Sequence, residues 1–270
     1  MPRYTGKRVT DERLQRIRSI ARIQSLSLFN TAVTDEGIAV LVKATNLREI
    51  SLRSEVLTDA CMEVLCTLPA LVSLLIHNAP SITDRGIAQL KKRNSLNELY
   101  LEGTQLTDNG VGSFTHLAGI WSLSLKRTLI TDEGVSRLAP LHNLRLLLLD
   151  GTAVAGYGLC ELPSPPEDIY LDGCPVTNDA VEKIVSHAPG LRRLGLKDTA
   201  VTDDCLPALA ELNKLESLRL SRTSVTDKGL EYLHGHPSLV SLAVTDTFVS
   251  AEGAERLKER SPLGGMGVSY

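Results

Sequence analysis

Hydrophobic residues in this chain recur in a block of about 24 residues. Each block opens as L-x-x-L-x-L, runs through T-x-V-T-D-x-G-L, and closes on an apolar residue three positions later. The alternation in L-x-L predicts a short strand with both leucines on one side, because successive strand side chains point to opposite faces. Leu26 with Leu28, Leu99 with Leu101, and Leu218 with Leu220 are such inward pairs. The T-D-x-G-[LIV]-x-x-L stretch predicts a helix start. Its Thr can cap exposed N–H groups, and its Asp suits the positive end of the helix dipole. Apolar residues three apart, such as Ile38 and Leu41 or Leu230 and Leu233, then share one helical face. Gly37, Gly86, Gly110, Gly134 and Gly229 allow neighbouring coils to pack closely. Cys61, Ala180 and Cys205 fill the same slot, which makes those two cysteines packing residues rather than nucleophiles.

The phase is kept by the dipeptide Thr-Asp, at Thr10, Thr34, Thr58, Thr83, Thr107, Thr131, Thr202 and Thr226, with degenerate copies at Ala155 and Thr177 and a further step to Ser250. Ten copies begin at Ile23, Leu47, Leu71, Leu96, Ile120, Leu144, Pro166, Leu191, Leu215 and Leu239, preceded by a half copy from Val9 to Ile17. Such regular self-similarity marks a repeat architecture. A strand that returns in parallel through a helix crosses over right-handedly, and no single copy can bury its own apolar face. The expected fold is therefore α/β: a right-handed, curved solenoid with a parallel sheet on the concave face and helices on the convex face. The Thr slot after each strand (Thr31, Thr104, Thr128, Thr152, Thr199, Thr223, Thr247) is expected to hydrogen-bond the backbone of adjacent coils.

Residues 9 to 257 resemble the leucine-rich repeat family, whose horseshoe has this form. The T-D-x-G-L segment is similar to that of its cysteine-containing subclass, with Thr where the subclass usually has Cys; Cys174 is the copy that keeps it. Similar Thr-containing repeats of 24 residues occur in bacterial leucine-rich repeat proteins. The expected organisation is an N-terminal capping half-repeat over 1–22, ten repeats over 23–257, and a C-terminal tail over 258–270.

Two regions break the pattern. In the copy that begins at Leu144, Ala155-Gly156 replaces Thr-Asp and Pro163, Pro165 and Pro166 follow, which predicts a short, irregular convex segment. Residues 1–22 hold seven basic and two acidic residues. They read as a capping helix with a solvated outer face, or alternatively as a docking patch for an acidic partner. In the tail, Leu263, Met266 and Tyr270 are expected either to fold over the open edge or to stay disordered.

Composition narrows the function. Leu supplies 46 of 270 residues while aromatics are only 4%, as suits a core of equivalent aliphatic slots. A net charge of −3 argues against a general nucleic-acid binder. There is no apolar run of about 18 residues to span a membrane, and the charged first twenty residues do not form a secretory signal. Five cysteines without a C-x-x-C pair, and six His at unsuitable spacings, point to a reduced cytoplasmic chain without metal or cofactor.

Candidate binding residues lie where strand side chains leave the core. The slot between the paired leucines carries Leu75, Tyr100, Leu148 and Tyr170 in an otherwise small, mostly polar row, with Trp121 and Leu146 in the preceding slots. All are expected to be exposed on the concave face, as an interaction patch. The slot after the second leucine adds His77, Glu102, Lys126, Asp150, Asp172 and Lys197. Carboxylates at Glu98, Glu102, Asp150, Asp168 and Asp172 give way to Arg193, Lys197, Arg219 and Arg222. This polarity would orient a partner, or else spend itself in salt bridges between neighbouring strands. Asp150 and Asp172 could serve as acid and base only in a pocket that an open sheet does not offer. No G-x-S-x-G, P-loop, G-x-G-x-x-G or H-E-x-x-H sequence is present. The expectation is a monomeric, non-enzymatic scaffold or regulator that binds another protein, with no nucleic acid and no membrane. Two alternatives stand beside it. One is the substrate-recognition part of a ubiquitin-ligase-type assembly, although 1–22 is too short for the F-box that such relatives carry; the other is a structural spacer.

Overall fold

The computed structural model describes residues 3–5, 9–93, 96–260 and 267–270. They fall into two compact units, Met1–Ile130 with Arg137–Leu144, and Thr131–Ser136 with Arg145–Tyr270.

In the first unit, β1 (Arg3–Thr5), β2 (Ser25–Phe29), β3 (Glu49–Arg53), β4 (Ser73–His77), β5 (Glu98–Glu102) and β6 (Ser122–Ser124) lie side by side in chain order, all parallel. The register advances one repeat per strand, so Leu26, Ile50, Leu74, Leu99 and Leu123 form one buried row and Leu28, Leu52, Ile76 and Leu101 a second. Burying these rows against the helical segments is what holds the coils, at roughly 1.5–3 kcal/mol per side chain. The second unit repeats the plan with β7 (Leu146–Leu148), β8 (Asp168–Tyr170), β9 (Arg193–Gly195), β10 (Ser217–Arg219), β11 (Ser241–Ala243) and β12 (Gly267–Ser269).

The helical segments are short, as with Asp35–Ala39 and Asp84–Ile87. Thr34, Thr58, Thr83, Thr107, Thr202 and Thr226 cap them, each hydroxyl accepting the N–H two residues on. The Asp after each Thr does more than complement a dipole. It reaches the Thr of the following coil, as Asp11 does to Thr34 and Asp203 to Thr226. Where that Thr is missing, Asp132 instead accepts the backbone N–H groups of Ala155, Gly156 and Gly158. The segment there is only a 3-10 turn, Tyr157–Glu161, short as its sequence predicts.

Three features depart from the sequence reading. In six of the seven slots the Thr after the strand bonds its own coil, not adjacent ones: Thr104, Thr128, Thr152, Thr199, Thr223 and Thr247 each donate to the carbonyl three residues back, at 2.6–2.8 Å, while the buried Thr31 hydroxyl meets no partner among the described residues. The cause is a left-handed residue just before it (Arg127 at φ 52°, Arg222 at 61°, Asp246 at 57°), which folds the chain back over the last strand carbonyl. The segment read as a capping helix opens with a strand, β1, before the short helix Asp11–Gln15. The tail supplies β12, and the Tyr270 hydroxyl meets Glu255 at 3.4 Å. Leu263, Met266, Lys7 and Arg8 lie outside the described residues.

Candidate interaction surface

The sheet face turned away from the helices carries the candidate residues. In the first unit the slot between the paired leucines reads Ser27, Ser51, Leu75, Tyr100 and Ser124. It is less open than alternation alone suggests. Strands spaced ~4.8 Å apart let large side chains cover small ones, so Ser27, Ser51 and Ser124 are buried and Leu75 and Tyr100 half-buried.

The adjoining slot builds a cluster around His77. Its ring lies between Phe29, at 6.2 Å between centroids, and Tyr100, at 6.0 Å and edge-on at 88°. His77 Nδ1 is 2.7 Å from Glu102 Oε2, and Ser124 Oγ donates to Glu102 Oε1 at 2.6 Å. Burial opposes ionisation of Glu102, but these two hydrogen bonds and the charges of His77 and Lys126 outweigh it, holding the carboxyl below its ordinary range. Lys126 is half-buried, and Tyr100 Oη is 3.1 Å from Ser122 Oγ.

In the second unit the same slot reads Leu148, Tyr170, Gly195, Arg219 and Ala243. Leu148 and Tyr170 face each other on paired strands, both half-buried rather than exposed. The missing side chain at Gly195 lets the Tyr170 ring lean across β9, where a Cβ would stand 2.8 Å from its Cδ1. Arg219 then sits over that ring at 5.6 Å and reaches Asp172 Oδ2 at 2.7 Å. Asp172 also accepts the Lys197 N–H at 2.9 Å, and Asp150 accepts the Asp172 N–H at 3.0 Å. Burial raises the Asp172 carboxyl above its ordinary value, more than the Lys197 N–H and the Arg219 charge lower it, while Asp150 adds to the rise. Burial also raises the Tyr170 phenol. Asp168 pairs with Arg193 at 2.7 Å, and Glu216 with Arg192 at 2.6 Å. In this unit the charge polarity read from sequence is thus partly matched internally, between neighbouring strands by Asp168 with Arg193 and across β9 by Asp172 with Arg219, and such partly exposed pairs add about 1 kcal/mol or less.

Trp121 stands apart from the His77 cluster. It is 42% exposed at the N-terminal rim of the first unit's sheet, in a cleft of about 350 Å³ shared with Arg48, Glu49, Asn97 and Glu98. Glu49 escaped the sequence reading, although Ser and Glu alternate along the row Ser25, Glu49, Ser73, Glu98 and Ser122. Both units present aromatic rings, ordered carboxylates and half-buried cations on this face. Among the described residues, no three His, Cys, Asp or Glu side chains converge as a metal site, and no helix is long and apolar enough to cross a membrane.

A leucine-rich repeat family model matches residues 211–233, the coil that contains β10 and its capping Thr226. That match falls on the same periodic coil that the strands and Asp–Thr bonds repeat throughout both units. The chain has the leucine-rich repeat fold. Among solved structures, an internalin (inlF) from Listeria monocytogenes aligns over 97% of this chain and 88% of its own, with a TM-score of 0.53 at 17% identity. An internalin C2 (inlC2) from the same organism covers 97% and 84%, at 25% identity and a TM-score of 0.45. The first shows a shared leucine-rich repeat fold and nothing finer; the second is too distant in space to argue from. No curated protein matches the sequence. A fold that many proteins share does not name a partner, so the function has to be argued from the surface.

Proposed function

We propose that this leucine-rich repeat protein is a non-enzymatic binding scaffold or regulator in the cytoplasm, acting as a free monomer and recognising another protein through its open sheet face. The observation that carries this reading is the row between the paired leucines. The repeat needs nothing large there, since the core rows lie on the opposite side and Ser27, Ser51 and Ser124 serve the same slot. Leu75, Tyr100, Leu148 and Tyr170 therefore have little to do for the fold, while His77, Glu102 and Arg219 hold the rings beside them in fixed orientations. Anchors already ordered by a sheet lose little entropy on binding, which is where such a scaffold gains affinity.

The test replaces the bulky residues by the one their neighbours carry. Leu75→Ser with Tyr100→Ser alters the first unit, and Leu148→Ser with Tyr170→Ser the second. Each variant is checked for an unchanged urea midpoint and used beside wild type to capture partners from native lysate. Loss of a wild-type partner in either variant supports the reading. Identical captures from all three would leave a spacer role.

A further inference from the structure

The cleft beside Trp121 has a charge pattern unlike that of the second unit. At the first residue of each strand the second unit sets Asp168 against Arg193, an ion pair at 2.7 Å. The first unit sets Glu49 and Glu98 among serines instead. Ser25 Oγ donates to Glu49 Oε2 at 3.2 Å and Ser73 Oγ to Glu98 Oε2 at 2.7 Å. Each serine fixes one carboxylate oxygen and brings no positive charge, and neither Glu49 nor Glu98 forms a salt bridge among the described residues. Arg48 is the one cation in the cleft lining, against these two carboxylates. The indole of Trp121 completes the wall, and indole is the best of the aromatic faces for a cation.

We propose that this cleft receives a lysine or arginine side chain of the protein partner, the cation resting on Trp121 and hydrogen-bonded to Glu98 and Glu49. The inference rests on the sheet face being a protein-binding surface and says which chemistry the partner brings to its rim. Size agrees: about 350 Å³ lies at the lower end of ligand clefts, room for a side chain or two rather than a large molecule. The serines matter because carboxylates already oriented give up less freedom when a cation arrives, and charge-assisted bonds are roughly twice as strong as neutral ones.

Trp121 is the single tryptophan of the chain, so its fluorescence reports on this cleft alone. The probes are the blocked tripeptides acetyl-Gly-Lys-Gly-amide and acetyl-Gly-Arg-Gly-amide, with the Gln and Glu versions and lactose as controls. Saturable change with the Lys and Arg peptides is expected, weakened by added salt and about tenfold weaker in Glu98→Gln. Isothermal titration of Trp121→Leu, folded by circular dichroism, should show a comparable loss. An equal response to the Gln peptide or lactose, or an unchanged affinity in Glu98→Gln, overturns the proposal, as does no response to either cation. If the cleft fails while the serine variants still lose a partner, the cleft assignment falls alone. If those variants lose nothing, it is the face-binding reading that falls.

Discussion

The carboxylate of Asp59 holds Thr83, one coil further on, by two hydrogen bonds at once: from its backbone N–H at 2.7 Å and its hydroxyl at 2.8 Å. The same fork joins Asp35 to Thr58, Asp84 to Thr107 and Asp227 to Ser250. Each Thr hydroxyl also accepts an N–H of its own helix, so one side chain caps a helix and receives the previous coil. The Asp–Thr pair is thus the polar counterpart of the leucine rows. It fixes the spacing of the coils on the helical side while the sheet fixes it on the other.

Asp59→Ala strands two donors, and hydrogen bonds to a charged group contribute about 1.5–3 kcal/mol each when buried. Because the site is part-buried and water can replace some of the loss, the expected cost is about 1–3 kcal/mol. Thr83→Val removes the hydroxyl while keeping the side-chain volume. A double-mutant cycle read by urea unfolding should give a coupling energy of about 1 kcal/mol or more. Additive effects would mean that the fork contributes nothing.

Two glycines should respond to alanine in opposite ways. A Cβ on Gly158 would stand 2.2 Å from the Asp132 carbonyl oxygen and 2.9 Å from its carbonyl carbon, both backbone atoms. Gly158→Ala should cost about 2–3 kcal/mol, since the irregular turn cannot widen without losing the N–H groups that Asp132 accepts. Gly112 has a helical backbone at φ −58° and nothing within 4 Å of the added atom. Gly112→Ala should gain about 0.4–1 kcal/mol by stiffening the unfolded chain. Thermal melts of the two variants decide it, and a melting temperature moving the same way in both would contradict the argument.

The thiols offer a further check on packing. Burial pushes the Cys66 and Cys205 thiols up to about 12 and raises Cys61 and Cys174 as well. Cys160 is only half-buried; burial raises it too, while the nearby Lys183 charge pulls the other way. Titration of the native protein with Ellman's reagent should therefore modify Cys160 alone, and slowly, with all five reacting in urea. Rapid native reaction of two or more thiols would show that the coils open more readily than their packing implies.

The coils were legible in the sequence because burial leaves a strand little choice. Leu99 and Leu101 must alternate with outward residues, and Thr107-Asp108 must precede the helical turn, so period and phase survive in the letters. The end strands were not legible, since Arg-Tyr-Thr and Gly-Val-Ser lack the paired leucines that mark the others. Nor was the bond from Thr104 to its own coil, which depends on a left-handed turn filled variously by Gly103, Arg127, Gly151 and Asp198. At the candidate surface, the slot was readable but its occupancy was not. That Tyr170 leans over Gly195 toward Arg219 follows only when three strands are in register, and the half-burial of Leu75 and Tyr100 depends on their neighbours' size. Glu49 carries no mark of its own in the sequence, because its setting comes from the strands beside it, where a serine rather than an arginine meets it.

Glu102 gives the fold a pH dependence of definite sign. Its carboxyl is held below the ordinary range in the native state, where His77 and Ser124 bind it. Between the native value and the unfolded value of about 4.3, the unfolded chain holds the extra proton. The stabilisation is therefore fully present above the unfolded value and is lost as pH falls through the native one. Asp172 acts in the opposite sense, since its raised value makes ionisation cost more in the folded state. That contribution is common to wild type and Glu102→Gln and cancels in their difference. Urea unfolding of the two at neutral pH and at steps down to about pH 3 should show wild type the more stable at the start, with the gap closing across the acid range. A gap that stays constant would mean that shape alone, and not the charge of Glu102, orders the His77 cluster.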